Sequence, residues 1–185
     1  ILEKERLDSH RLIEEFMITA NVAAAATLER LRQPCIYRVH DRPSEEKLEI
    51  LSQYLNSLEL SFPKKQIQNP KRFNQILSRF AGKPQSHMIG QMILRSQAQA
   101  EYSQDNIGHF GLALKKYSHF TSPIRRYADL IVHRSLIQGL KLGLGGLPCD
   151  SEDLNSISEY ITKTERRAAK AERDTNDRMT SLLLT

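Results

Sequence analysis

The sequence contains no tryptophan, and only two of its 185 residues are cysteines. Cys35 and Cys149 lie far apart, in no CxxC spacing and beside no histidine pair, so neither a zinc site nor a disulfide framework is indicated. A reducing, cytoplasmic setting is the expectation. No apolar run approaches the ~20 residues that span a bilayer, and the N-terminus lacks the basic-then-apolar plan of a signal peptide. No membrane association is expected. The GxxxxGK phosphate loop, the HExxH of zinc proteases and the GxSxG nucleophile elbow are also missing. The six histidines (His10, His40, His87, His109, His119 and His133) show no metal-ligand spacing. Neither a metal site nor a small-molecule cofactor is therefore expected within these residues.

What is present is basic. Lys and Arg number 27 against 22 Asp and Glu, a formal charge of +5, with a pI near 9.3, and such a balance favours an anionic partner. Hydrophobic residues make up 39% and charged residues 26%, the proportions of a folded, helix-rich protein. The length suits one domain with a real core. The chain opens at Ile1 inside a helical pattern and stops in the uncapped apolar run Ser181-Leu182-Leu183-Leu184-Thr185, so both ends are expected to continue into something larger.

Over residues 5–32 the apolar positions Leu12, Ile13, Phe16, Met17, Ala20, Ala24, Leu28 and Leu31 recur at three- and four-residue steps, predicting a long amphipathic helix closed by Gln33-Pro34. The alanines at 23–26 would let another backbone approach. Residues 35–40 alternate and read as a strand. Ser44 caps a helix to about Glu59 with Leu48, Leu51, Leu55 and Leu58 inside. Asn69-Pro70 opens another, with Phe73, Ile76, Leu77 and Phe80 inside and Gly82 closing it. Pro84 opens a fourth with Met88, Ile89, Met92 and Ile93 in its core stripe. Residues 102–106 read as a loop and 108–114 as a strand with close backbone approach. Ser122-Pro123 starts a helix ending before Gly143. A last helix from about Ser151 carries Leu154, Ile157, Ile161, Ala168, Ala171, Thr175 and Met179 on one side. The sum is an α+β, helix-dominated single domain with about six helices and two or three short strands.

The chemistry concentrates in Tyr117-Ser118-His119-Phe120-Thr121-Ser122-Pro123-Ile124-Arg125-Arg126-Tyr127-Ala128-Asp129. With Ser122 as N-cap and Pro123 at the first helical position, Arg125 and Arg126 fall in the first turn. Cations there oppose the helix dipole at a cost of about 0.3–1 kcal/mol each, which points to an anion gripped by guanidiniums and free N–H groups. The competing reading is local: Arg125 pairs with Asp129 and Arg126 is solvated. His119, Thr121, Ser122 and Tyr127 add hydrogen-bonding groups and a ring around the same turn. Single-stranded nucleic acid needs that mix of cations and stacking surfaces. Asp129 and His133, one turn apart, read as a structural pair.

Two carboxylates stand out elsewhere. Glu14 sits between Ile13 and Phe16, and Glu172 lies beside the small-residue seam of the last helix, while Asn21 interrupts an alanine-rich stretch. Either glutamate could accept hydrogen bonds from ribose hydroxyls. The alternative is that they neutralise Arg125, Arg126 or Arg166.

The run from His119 to Tyr127, continued by Asp129-Leu130 and His133-Arg134 and preceded by Gly108-His109-Phe110-Gly111-Leu112-Ala113-Leu114, resembles the signature of the ribonuclease II/ribonuclease R catalytic (RNB) domain. Ile13-Glu14-Glu15-Phe16-Met17 with Ala20-Asn21, and Ala171-Glu172-Arg173-Asp174, resemble flanking family segments in the right order. The resemblance runs from about residue 4 to about residue 180 and implies the C-terminal portion of that domain. It implies processive 3′-to-5′ hydrolysis of single-stranded RNA to nucleoside monophosphates, with Arg125 at the phosphate near the scissile bond and Glu14 and Glu172 lining the RNA channel. It further implies Mg²⁺ in the intact parent, held outside this chain. The family's clustered aspartates have no counterpart here: Asp8, Asp41, Asp105, Asp129, Asp150, Asp153, Asp174 and Asp177 are scattered. The flanking oligonucleotide-binding barrels are missing as well. A non-catalytic single-stranded RNA-binding module and a helical protein-interaction domain are the rival expectations, and the isolated chain is expected to be inactive.

Overall fold

The computed structural model describes residues 7–58, 70–147 and 153–184. Six α-helices occur among them: α1 (Asp8–Arg30), α2 (Glu45–Ser57), α3 (Pro70–Phe80), α4 (Ser86–Ser96), α5 (Tyr127–Leu140) and α6 (Leu154–Leu184). Two strands, β1 (Tyr37–Val39) and β2 (Glu101–Ser103), form one small sheet. The expected α+β, helix-dominated class is what the chain adopts. The expected helix start at Glu5, the end at Glu59, the cap Asn69, the start at Ser151, and Cys149 and Asp150 lie outside the described residues. Among the described residues no helix is long and apolar enough to cross a membrane. The fold divides into two compact units: residues 39–100 with 107–115, and the remainder.

In the smaller unit, α2, α3 and α4 bury Leu48, Leu51, Leu55, Phe73, Ile76, Phe80, Ile89 and Ile93 in one cluster. Ser44 accepts the Lys47 N–H at 3.4 Å and so caps α2. Gly82, at φ +75°, supplies the left-handed residue after α3. Met88 departs from expectation and is exposed. The buried stripe of α4 runs Ile89, Ile93, Ser96, and Met88 falls one position, about 100°, off its axis. Met92, at its edge, packs against the cluster.

The strand expected over 108–114 is instead a closed loop. His109 and Leu114 exchange both backbone hydrogen bonds (2.8 and 3.2 Å) around a 3₁₀ turn, Phe110–Leu112. Gly108 (φ +81°) and Ala113 (φ +55°) turn the backbone at either end, and that curvature is what prevents a strand. His40 pins the loop: its Nδ1 accepts the Gly111 N–H at 2.7 Å and its Nε2 donates to the Ala98 carbonyl at 2.8 Å. Gly111 leaves no room for a side chain, since a Cβ there would stand 2.8 Å from His40 Nδ1.

In the larger unit, α1 packs against α5, and its Ala24, Ala25 and Leu28 are buried. The small residues permit this approach, as the alanine run suggested. The first half of α1 is different: Leu12, Ile13 and Phe16 of the expected stripe are exposed. The helix ends in a Schellman motif, with Arg32 left-handed (φ +54°) and the Gln33 N–H donating to the Leu28 carbonyl at 2.9 Å. A second core joins Ile36, Tyr102, Ala128, Ile131, Leu147 and Leu154, with Ile157 and Ile161 packed against it. Tyr102 thus belongs to β2 rather than to the loop its neighbours suggested, because its ring is a core residue. Burial pushes the Cys35 thiol up to about 12, so it stays protonated and is no nucleophile.

Gly111→Ala is expected to lower unfolding stability by about 1–3 kcal/mol, because the methyl must displace the His40 ring from two hydrogen bonds. Urea denaturation of the variant checks this, and wild-type stability would show that the loop has slack.

Candidate nucleic-acid interface

The interface is built from α1 outward. Asn21, buried in α1, is an anchor rather than a flaw in the alanine stretch. Its Nδ2 donates to the Tyr117 hydroxyl (3.0 Å), its Oδ1 accepts the Phe120 N–H (2.9 Å), and its carbonyl accepts from Ser118 Oγ (3.4 Å). Three bonds from one residue thereby fix the segment leading to the arginines. His133, on α5, stacks on the Phe120 ring at 4.3 Å and donates from Nε2 to the Phe120 carbonyl at 2.8 Å. The expected pairing of His133 with Asp129 is not made.

Asp129 has other partners. It is fully buried in the first turn of α5, and its Oδ1 accepts the Ser122 N–H at 2.7 Å and Arg126 Nη2 at 2.8 Å. Its Oδ2 accepts Arg126 Nε at 2.8 Å, completing a two-pronged ion pair. Here the structure corrects the sequence reading twice. The helix begins at Tyr127, not at Ser122-Pro123, and Arg126 is the residue before it, extended at φ −129°, ψ 119°. Residues 122–126 instead form a turn in which the Ser122 carbonyl accepts the N–H groups of Arg125 (3.3 Å) and Arg126 (3.2 Å). The cause is Asp129, which complements the dipole at the start of α5 and captures the Ser122 N–H. The second correction exchanges the arginines: Arg126, not Arg125, pairs with Asp129.

Arg125 is left exposed on the turn, with no salt bridge among the described residues. It opens into a cleft of about 600 Å³. Tyr102, Arg125, Arg126, Tyr127 and Ala128 form one side, and Ile161, Thr164, Glu165, Ala168, Ala169 and Glu172 of α6 form the other. The small alanines keep the far wall low. Arg126 is neutralised by Asp129. A second guanidinium, Arg38, sits 4.6 Å from the Tyr102 ring centre and is forked onto Glu165 at 2.6 and 2.9 Å. Arg125 is therefore the cation of this cleft without a neutralising partner.

Tyr102 completes the framework. Its N–H donates to Thr162 Oγ1 at 3.0 Å and its hydroxyl meets His119 Nδ1 at 2.9 Å. Burial foremost pushes its phenol up to about 12, partly offset by Arg38, so it remains a neutral donor. Of the residues singled out in the sequence, Arg125, Arg126, Tyr127 and Glu172 line the cleft together. Ser122 contributes its backbone N–H, and His119 stands behind Tyr102. Thr121 Oγ1 is buried without a hydrogen-bond partner among the described residues. Glu14 lies exposed on the first half of α1 and is not among the residues lining the cleft. Arg166 pairs with Glu101 at 3.4 Å, so neither it nor Arg126 is taken up by Glu14 or Glu172 as the ion-pair alternative supposed. Arg38, Tyr102, Thr162 and Glu165 were missed. Their contacts span up to 127 residues of chain, and no local pattern marks them.

The described residues offer no fit for the metal that the family resemblance implies. Among the described residues no three His, Cys, Asp or Glu side chains gather as a ligand set.

Asp129→Ala is expected to cost about 3 kcal/mol of stability by leaving the Arg126 guanidinium without its partner, whereas Arg125→Ala should stay within about 0.5 kcal/mol of wild type. Equal losses on thermal or urea unfolding would mean that Arg125 also supports the fold.

Residues 1–141 match the RNB domain family. A ribonuclease R of Aquifex aeolicus is 44% identical over 177 residues, covering 94% of this chain and 24% of the relative, and that of Escherichia coli is 39% identical over 186 residues, covering 96% and 23%. The chain thus spans about a quarter of the length of these curated relatives. Among solved structures, Mycoplasma genitalium RNase R in complex with ribose methylated single-stranded RNA superposes with a TM-score of 0.82 at 30% identity, covering 98% of this chain and 29% of that one. With the family model spanning most of its length and the fold agreeing over nearly all of it, this chain belongs to the RNB domain family.

Proposed function

We propose that this chain is the RNA-gripping part of a cytoplasmic 3′-to-5′ exoribonuclease that processively hydrolyses single-stranded RNA to nucleoside monophosphates. The observation that carries the reading is Arg125, without a salt bridge among the described residues, in a cleft whose other lining cation, Arg126, is paired with Asp129. A guanidinium so placed can meet two phosphate oxygens at once. Asp129 and Arg126 hold the turn that aims it. Arg126, Ser122, Thr121 and His119 act through that framework, and Tyr127 offers a ring to the strand.

Glu172 faces the same cleft and is assigned to a ribose hydroxyl, as a carboxylate accepts where a phosphate cannot donate. Glu14 is assigned the same kind of contact with the strand beyond the cleft. Magnesium belongs to the longer parent protein, and no step is routed through it here. The lack of a ligand set among the described residues favours a second reading for the isolated chain, that of a non-catalytic single-stranded RNA-binding module.

Two experiments test the assignment. The purified chain should bind labelled single-stranded RNA with an affinity that falls steeply with salt, yet show no Mg²⁺-dependent loss of a 3′ label. Salt-insensitive or absent binding would favour a protein-interaction domain, and robust metal-dependent degradation, abolished by Arg125→Ala, would place a complete active site in this chain.

In the longer protein, Arg125→Ala should slow single-turnover cleavage by about 10²–10³ while weakening RNA binding far less, since it meets charge that develops at the phosphate. Equal losses in both would reduce Arg125 to a backbone contact.

A further inference from the structure

Beside the Arg125 cleft lies a groove of about 490 Å³ lined by Tyr127, Ser156, Ile157, Tyr160, Ile161 and Thr164. Tyr127, Ile161 and Thr164 line both hollows, so the two share a wall. Ile157 and Ile161 form a floor packed on the core. Two exposed tyrosines also line it, Tyr160 at 67% and Tyr127 at 48% exposure. The serine and threonine hydroxyl protons here are already engaged: Ser156 Oγ donates to Asp153 at 2.5 Å, and Thr164 Oγ1 to the Tyr160 and Ile161 carbonyls at 3.1 and 3.0 Å. No ionised side chain lines the groove.

These features select the occupant. An anion has nothing to hold it between the tyrosines, whereas a flat, weakly polar group does. Its volume falls within the ~300–1,000 Å³ of small-ligand sites. Immediately along α6 the same wall opens to Arg125, which calls for an anion. A nucleotide within a single strand supplies both, a base on one side and its phosphate on the other. We propose that Tyr127 and Tyr160 flank a stacking site for a nucleobase of single-stranded RNA whose neighbouring phosphate meets Arg125. The proposal rests on the RNA-binding reading above and adds to it a contact with bases. Base site, phosphate site and Glu172 then follow one another along α6, with Glu172 about 18 Å of helical rise beyond Tyr160. Because every base has a π-face, the site tolerates any sequence.

The missing tryptophan makes a direct test possible. Tyr160→Trp places a single indole in these 185 residues, at an exposed position. Its fluorescence is followed while oligouridylate, or an abasic ribose-phosphate chain of equal length, is added. Anisotropy of labelled oligouridylate, read in parallel, reports binding by the wild-type chain and by Tyr160→Leu and Tyr160→Phe. The expected result is quenching by oligouridylate but not by the abasic chain, with Tyr160→Leu binding roughly tenfold more weakly and Tyr160→Phe binding as wild type. Equal quenching by both chains, or wild-type affinity of Tyr160→Leu, overturns the stacking site and leaves RNA binding intact. No anisotropy change with the wild-type chain overturns both.

Discussion

The buried carboxylate of Asp129 is the constraint on which the interface depends. It receives three hydrogen bonds, two from Arg126 and one from the Ser122 backbone, and a carboxylate removed from water requires that many to offset its desolvation. Those bonds close the turn at 122–126, delay α5 until Tyr127, and neutralise one of two adjacent arginines. What remains is a single outward-facing cation. The division of labour between Arg125 and Arg126 thus comes from one acidic residue three and four positions away.

The same logic recurs on the other side of the cleft. Arg38 is forked onto Glu165 while its plane lies over Tyr102, so this charge too is spent on holding the wall of the site. An RNA-binding surface is often pictured as an even coat of positive charge. Among the described residues at this wall, Arg126 and Arg38 are each matched by a carboxylate while Arg125 makes no salt bridge, and that contrast is what the proposed anion contact rests on.

Much of the fold was legible in the sequence because it is local. Periodicity placed five of the helices nearly to their ends, Ser44 and Gly82 marked boundaries through capping chemistry, and the alanines of α1 foretold a close neighbour. The errors arose where a distant or competing bond overrode a local preference. Ser122-Pro123 has the form of a helix start, but the side chain of Asp129 takes the Ser122 N–H. Residues 108–114 read as a strand with close backbone approach, but Gly108, Ala113 and the grip of His40 curl them into a loop. Met88 is exposed although it lies beside the buried stripe, because periodicity identifies a stripe but not its centre. For the site, Arg125, Arg126, Tyr127 and Glu172 were named together from pattern and family resemblance. Arg38, Tyr102, Thr162 and Glu165 could not be, since their partners come from elements remote in sequence.

Asn21 has a consequence for binding thermodynamics. By holding Tyr117, Ser118 and Phe120 at once, it removes the backbone freedom that a surface connection of this length would otherwise lose when a ligand arrives, about 1–2 kcal/mol for each residue ordered. That ordering is complete when the chain folds. On the proposed reading, the motion left for a phosphate to arrest is chiefly the rotation of the Arg125 side chain, and the turn would act as a preorganised receptor whose selectivity comes from fixed geometry rather than from adaptation.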